Sequence, residues 1–166
     1  MKPFKALSLL ILAIAFTGCH KDYSDYRMDN QTFVNRVSMQ QHYILTLNQL
    51  LPDIFASELA NQITRRRQLR LSSYFSELNV MVSSNLNTEL DEMQLQNIDA
   101  LSNLSRSEKK VNLRKLLIEA DQDLLAMHIK ATGYNGLRNE NLRNWAAKEI
   151  TALQENLQDA QILTAP

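Results

Sequence analysis

A chain of 166 residues, 45% hydrophobic and 22% charged, has the makeup of one folded domain and lies well outside the range of disordered chains. Three Gly and three Pro are too few to turn a sandwich or a barrel, so few, long elements are expected. The formal charge is zero, and loss of residues 1–18 would remove only Lys2 and Lys5, leaving 16 basic against 18 acidic residues. That mildly acidic remainder argues against nucleic acid as a partner, and the single Cys excludes an intramolecular disulfide and restricts a metal site to nitrogen and oxygen ligands.

In chain order, Lys2 and Lys5 precede a small-or-apolar run, Ala6 to Phe16, broken only by Ser8, and Thr17-Gly18-Cys19 closes it. This is the layout of a secretory signal, with an apolar run far short of the roughly 20 residues needed to span a bilayer as a helix. Residues 1–18 are expected to be the signal peptide. His20 to Asp29 are polar, carry Tyr23 and Tyr26 without a helical period, and read with Cys19 as a tether over 19–29.

Residues 30–163 are expected to form an all-α, antiparallel four-helix bundle. The first helix starts at an Asp29-Asn30 cap, with Phe33, Val37, Ile44, Leu47 and Leu51 at helical spacing, and should kink or restart at Pro52 before Ile54, Phe55, Leu59 and Ile63. A second runs from Leu71 through Phe75, Leu78, Val82, Leu86 and Leu90 to Met93 on one face. Asn97 to Leu104 is the expected break. Ser105 and Glu108 then fit a capping box, and Leu113, Leu117, Ala120, Leu124, Met127 and Ala131 form the third stripe, ended by Gly133 and Tyr134-Asn135-Gly136. The last helix starts near Asn139 or Asn141 and turns Leu142, Ala146, Ile150, Leu153, Leu157 and Ala160 inward. Each stripe is amphipathic, so the four must bury against one another.

Thr17-Gly18-Cys19 resembles a bacterial lipobox, in which small residues precede a cysteine that is acylated and becomes the new N-terminus; Phe16 departs from it, where Leu is usual. The resemblance implies a membrane anchor through acylated Cys19. His20, in place of the Asp that retains such proteins at the inner membrane, favours the outer membrane, and Lys21-Asp22 resembles a surface-display signal. The bundle as a whole resembles bacterial domain-of-unknown-function family 4142, whose members look like exported ferritin-like four-helix bundles. The likeness is carried by Leu101-Ser102-Asn103-Leu104-Ser105, by Asp121-Gln122, and by Leu142-Arg143-Asn144-Trp145-Ala146-Ala147 with Asn156-Leu157-Gln158-Asp159-Ala160. Family members tend to carry histidines late in the second helix, in the third and in the fourth. Here those stretches read Val82-Ser83-Ser84-Asn85, Ala120-Asp121-Gln122-Asp123 and Glu155-Asn156-Leu157, without them.

No residue set points to catalysis. A ferritin-like di-metal site needs Glu-x-x-His, which the sequence lacks; Glu77 meeting Asp121, Gln122 or Glu149 inside a bundle is the weak alternative to solvated acids. His42 and His128 lie beside apolar stripes, where a lone histidine is more often structural, and neither is assigned a role. Thr64 to Arg70 is the densest charge run; Arg65, Arg66, Arg67 and Arg70 could grip anionic lipid, although a solvated helix face is the default. Tyr74 and Trp145 are read as core packing. The expectation is a lipid-anchored envelope protein with a non-enzymatic interaction or structural module, other envelope proteins being its possible partners and no cofactor being called for; the alternative is a ferritin-like metal-binding protein or enzyme.

Overall fold

The computed structural model describes residues 28–82 and 85–163. The signal peptide, Cys19 and the tether up to residue 27 therefore lie outside the described residues. All regular structure within them is helical: α1 (Asn30–Gln49), α2 (Leu51–Phe55), α3 (Glu58–Met81), α4 (Glu92–Ser102), α5 (Arg106–Thr132) and α6 (Glu140–Ile162). The starts are set by side chains that accept otherwise unpaired first-turn N–H groups. Asp29 accepts from Thr32, Ser57 from Ala60 and Asn139 from Leu142. Asp91 with Gln94 and Ser105 with Glu108 close reciprocal capping boxes. Pro52 sits in the first turn of α2, where its missing N–H costs nothing, and Ala56 at φ 49° turns the chain into α3.

The four long helices form a ring. α5 packs most extensively on α6 and next on α1, while α3 lies against α1 and α6. Asn48 donates to the Thr64 carbonyl and Gln41 to the Leu71 carbonyl, so α1 and α3 run antiparallel. Phe33 against His128 and Gln40 against Ala120 do the same for α1 and α5, as do Arg114 with Gln161 and His128 with Trp145 for α5 and α6. α3 and α5 are consequently parallel across the diagonal, and the connection between them must travel the length of the bundle. α4 is the middle of that connection. A bundle with one long crossover is the connectivity that ferritin-like folds also use.

The all-α expectation agrees with the structure, but the second helix is displaced. The helix expected over Leu71 to Met93 ends at Met81, and its N-terminal half is the charged segment from Glu58. Beyond Val82 the sequence carries Ser83, Ser84, Asn85, Asn87 and Thr88, residues whose side chains compete for backbone groups and weaken a helix. Asn87 does this directly, its side-chain oxygen accepting the Glu89 N–H at 3.0 Å. Val82, Leu86 and Leu90 still pack on the core from an irregular segment, which is why their spacing imitates a helix. Asn97 to Leu104, expected as a break, is mostly the second half of α4; only 103–105 is unwound.

Candidate functional site

The buried faces of α3, α5 and α6 each carry polar groups at core positions. On α3 the inward residues are Ile63, Arg67, Leu71, Tyr74 and Leu78, so Arg67 occupies the same stripe as the aliphatic side chains. Its guanidinium is fully buried and grips Asp121 of α5 with both outer nitrogens, at 2.8 and 3.0 Å. Nη1 also donates to the Asn156 carbonyl of α6. The pair thus crosses the diagonal of the ring and ties in a third helix. Burial pushes the Asp121 carboxyl up from its ordinary value, and the adjacent Arg67 pulls it back. Around this centre Arg70 donates to the Asn156 side chain at 2.7 Å and to Asp159, and Arg66 reaches the other oxygen of Asp159 at 2.6 Å.

Seven residues further along both helices lies a second diagonal bridge. The Tyr74 hydroxyl meets His128 Nε2 at 3.1 Å, while Nδ1 lies 3.0 Å from the Leu124 carbonyl. A carbonyl only accepts, so Nδ1 carries the ring proton and Nε2 accepts from Tyr74. This arrangement fits a neutral imidazole. Burial holds His128 down to about 4, and burial together with the Glu149 charge holds the Tyr74 hydroxyl well above its usual range. Phe33 and Trp145 close on the same histidine with ring centroids 5.5 Å away, and Trp145 lies 4.9 Å from Tyr74. The indole N–H of Trp145 is buried without a protein acceptor.

Trp145 also backs a cleft of about 890 Å³ between the start of α1, the end of α3 and the first half of α6. Val34 and Leu142 join it in the floor, Val80 and Met81 form a wall, and the amides of Asn30, Gln31, Asn141 and Asn144 line the rim. Glu77 and Lys148 face each other across it at 2.8 and 2.9 Å, which raises the Lys148 pKa. Glu149, one residue on, is pushed up by burial and by the Glu77 charge. The cleft is neutral in its charged pair and mixed polar and apolar in its lining.

These placements revise several expectations. Of the three acids Glu77, Asp121 and Glu149, only Glu77 and Glu149 lie close enough for their charges to interact; Asp121 is held by Arg67 and Glu77 by Lys148, and among the described residues no three His, Cys, Asp or Glu stand together as metal ligands. Asp121 is not a solvated acid. The arginines are not one exposed face either, because Arg67 is turned inward and Arg66 and Arg70 are committed to Asp159, which leaves Arg65 as the exposed member without an ion pair in this network. On α6 the inward face is rotated from the expected one. Ile150 and Leu157 are only half-buried, while Glu149 and Asn156 occupy the interior. His128, rather than Met127, continues the α5 stripe. Among the described residues no helix is long and apolar enough to cross a membrane. No family model matches this chain, and neither a curated protein nor a solved structure matches it.

Proposed function

We propose that this is a lipid-anchored cell-envelope protein, held through acylated Cys19, whose helical bundle serves as a non-enzymatic interaction or structural module. The anchor rests on a lone cysteine standing directly after an apolar run and Thr17-Gly18. The non-enzymatic reading is supported by the bundle's centre, where Asp121, the carboxylate best placed to hold a ligand between helices, is engaged at both oxygens by Arg67. Kinship to family 4142 rests on the short motifs quoted above, and outer-membrane placement on His20. Cys19→Ala should release the protein from membranes. Cell fractionation reads this, and unchanged membrane retention of the variant counts against the anchor.

A second reading, a ferritin-like metal protein, is favoured by the single-crossover connectivity. It would require a metal to displace Arg67 from Asp121 or to use Glu77 and Glu149 beside Lys148. Elemental analysis of residues 20–166 separates the two: iron, manganese or zinc near one per chain promotes the metal reading.

A further inference from the structure

The antiparallel ring puts the start of α1, the end of α3, the end of α5 and the start of α6 at one end of the molecule. Met28, the first described residue, is fixed there: it bridges to Leu137, and its N–H donates to the Asn135 carbonyl at 3.4 Å. The chain that leads to Cys19 therefore leaves from this end. Eight residues lie between Cys19 and Met28, and even fully extended this stretch spans only about 30 Å.

The same end carries the two most exposed large apolar side chains of the described residues, Tyr134 at 87% and Val80 at 84%. Met81, next to Val80 on α3, and Ile129, near the end of the diagonal helix α5, are exposed as well. Single exposed apolar residues are ordinary, but these four lie on three different segments that the ring brings to one end. Tyr134 stands in the α5–α6 turn between Lys130 and Arg138, an amphipathic ring flanked by cations, which is the residue chemistry favoured where hydrocarbon meets headgroups. The acids of this end are Asp29 and Glu140, at helix N-termini with Asp29 occupied in capping α1, and Glu77, which is paired with Lys148.

We propose that this end of the bundle, with Tyr134, Val80, Met81 and Ile129, rests in the headgroup layer of the phospholipid membrane to which Cys19 is anchored. The proposal depends on the lipid anchor argued above, because the short tether is what keeps this end within reach of the surface. It also sets the orientation of the cleft, whose wall includes Val80 and Met81 and which would open beside the membrane. The far end, with Ser57 and Asn103, is then held away by the length of the helices, about 40 Å for the 27 residues of α5.

The test uses the full mature lipoprotein in vesicles of phosphatidylethanolamine and phosphatidylglycerol that contain a nitroxide-headgroup lipid. With Cys19 acylated, single cysteines introduced as Val80→Cys, Tyr134→Cys, Ser57→Cys or Asn103→Cys carry an environment-sensitive fluorophore. The expected result is strong quenching at 80 and 134 and only background quenching at 57 and 103. Equal quenching at both ends, in protein that co-floats with the vesicles, overturns the orientation while leaving the anchor intact. Protein that fails to float overturns the anchor, and the orientation with it.

Discussion

At the scale of single residues, the pair Arg67 and Asp121 costs desolvation of two full charges and regains it through a bidentate contact within a network that includes the Asn156 carbonyl. Such a pair is sensitive to the loss of one member, which strands the other charge in the core, and far less sensitive to the loss of both. Asp121→Leu alone should therefore cost about 3 to 5 kcal/mol, whereas Arg67→Met with Asp121→Leu should recover most of it. Urea unfolding of the wild type, both single variants and the double variant gives the coupling directly. Simple additivity of the two losses would mean that the pair does not act as a unit.

His128 gives a separate pH signature. In the fold it stays neutral down to about 4, whereas an unfolded histidine takes its proton near 6.5. Between those values the unfolded chain binds the extra proton, so the stability conferred by the buried neutral ring is complete above pH 6.5 and is lost as pH falls toward 4. The loss from this group is about 3 kcal/mol. His128→Gln keeps polar atoms opposite Tyr74 but cannot titrate, so its stability should fall less steeply over the same window. Parallel pH slopes for the two proteins in chemical denaturation would remove His128 from the acid response.

At the scale of elements, the sequence was most readable where cap and stripe coincided. The Ser105 box and the leucines after it located α5 correctly, and Leu117 and Leu124 are fully buried. Leu124→Ala should cost about 2 to 5 kcal/mol through lost contact and cavity, and Ser105→Ala about 0.5 to 2 kcal/mol through one cap. Lys115→Ala, which removes an exposed pair with Glu119, should shift the melting temperature little. A larger loss for Lys115→Ala than for Leu124→Ala in thermal melts would contradict the buried face of α5.

Polar residues at stripe positions were the part that hydrophobic periodicity alone could not weigh. Arg67 stands four residues from both Ile63 and Leu71, and Asp121 stands four after Leu117 and three before Leu124, so both occupied inward positions in plain view. Their charge argued for solvent because a buried charge is tolerable only with a partner, and the partner lies 54 residues away on a diagonal helix. The displaced end of α3 has the opposite cause: Val82, Leu86 and Leu90 keep a helical spacing although residues 85–90 are irregular, with the Asn87 side chain taking the Glu89 N–H. The cleft was not legible at all, since its walls come from three segments that only the ring assembles.

At the scale of the whole molecule, stability should be uneven, and the unevenness should follow the crossover. α5 and α6 bury a continuous set of side chains against each other, while α4 buries only Gln94 and Leu101 and exposes Met93 and Leu95. Besides the packing of Leu101 and Ile98, it is attached by a chain of amides, Gln94 to Gln40 and Gln40 to the Ala120 carbonyl, each at 3.1 Å. Opening α4 therefore exposes little apolar surface and breaks few tertiary bonds, which makes it a low-energy excursion compared with global unfolding. The segment that precedes it begins at Val82 in the wall of the cleft, so such openings would alter the cleft without disturbing the two diagonal bridges. Native-state hydrogen exchange is the measurement: amides of α4 should exchange well before those of α3, α5 and α6, and low denaturant should leave α4 exchange almost unchanged. Gln94→Ala, which cuts the amide chain, should accelerate exchange in α4 while leaving the slowest α5 amides as they were. Uniform protection of all helices, with α4 responding to denaturant as steeply as α5, would instead make the crossover an integral part of one cooperative unit.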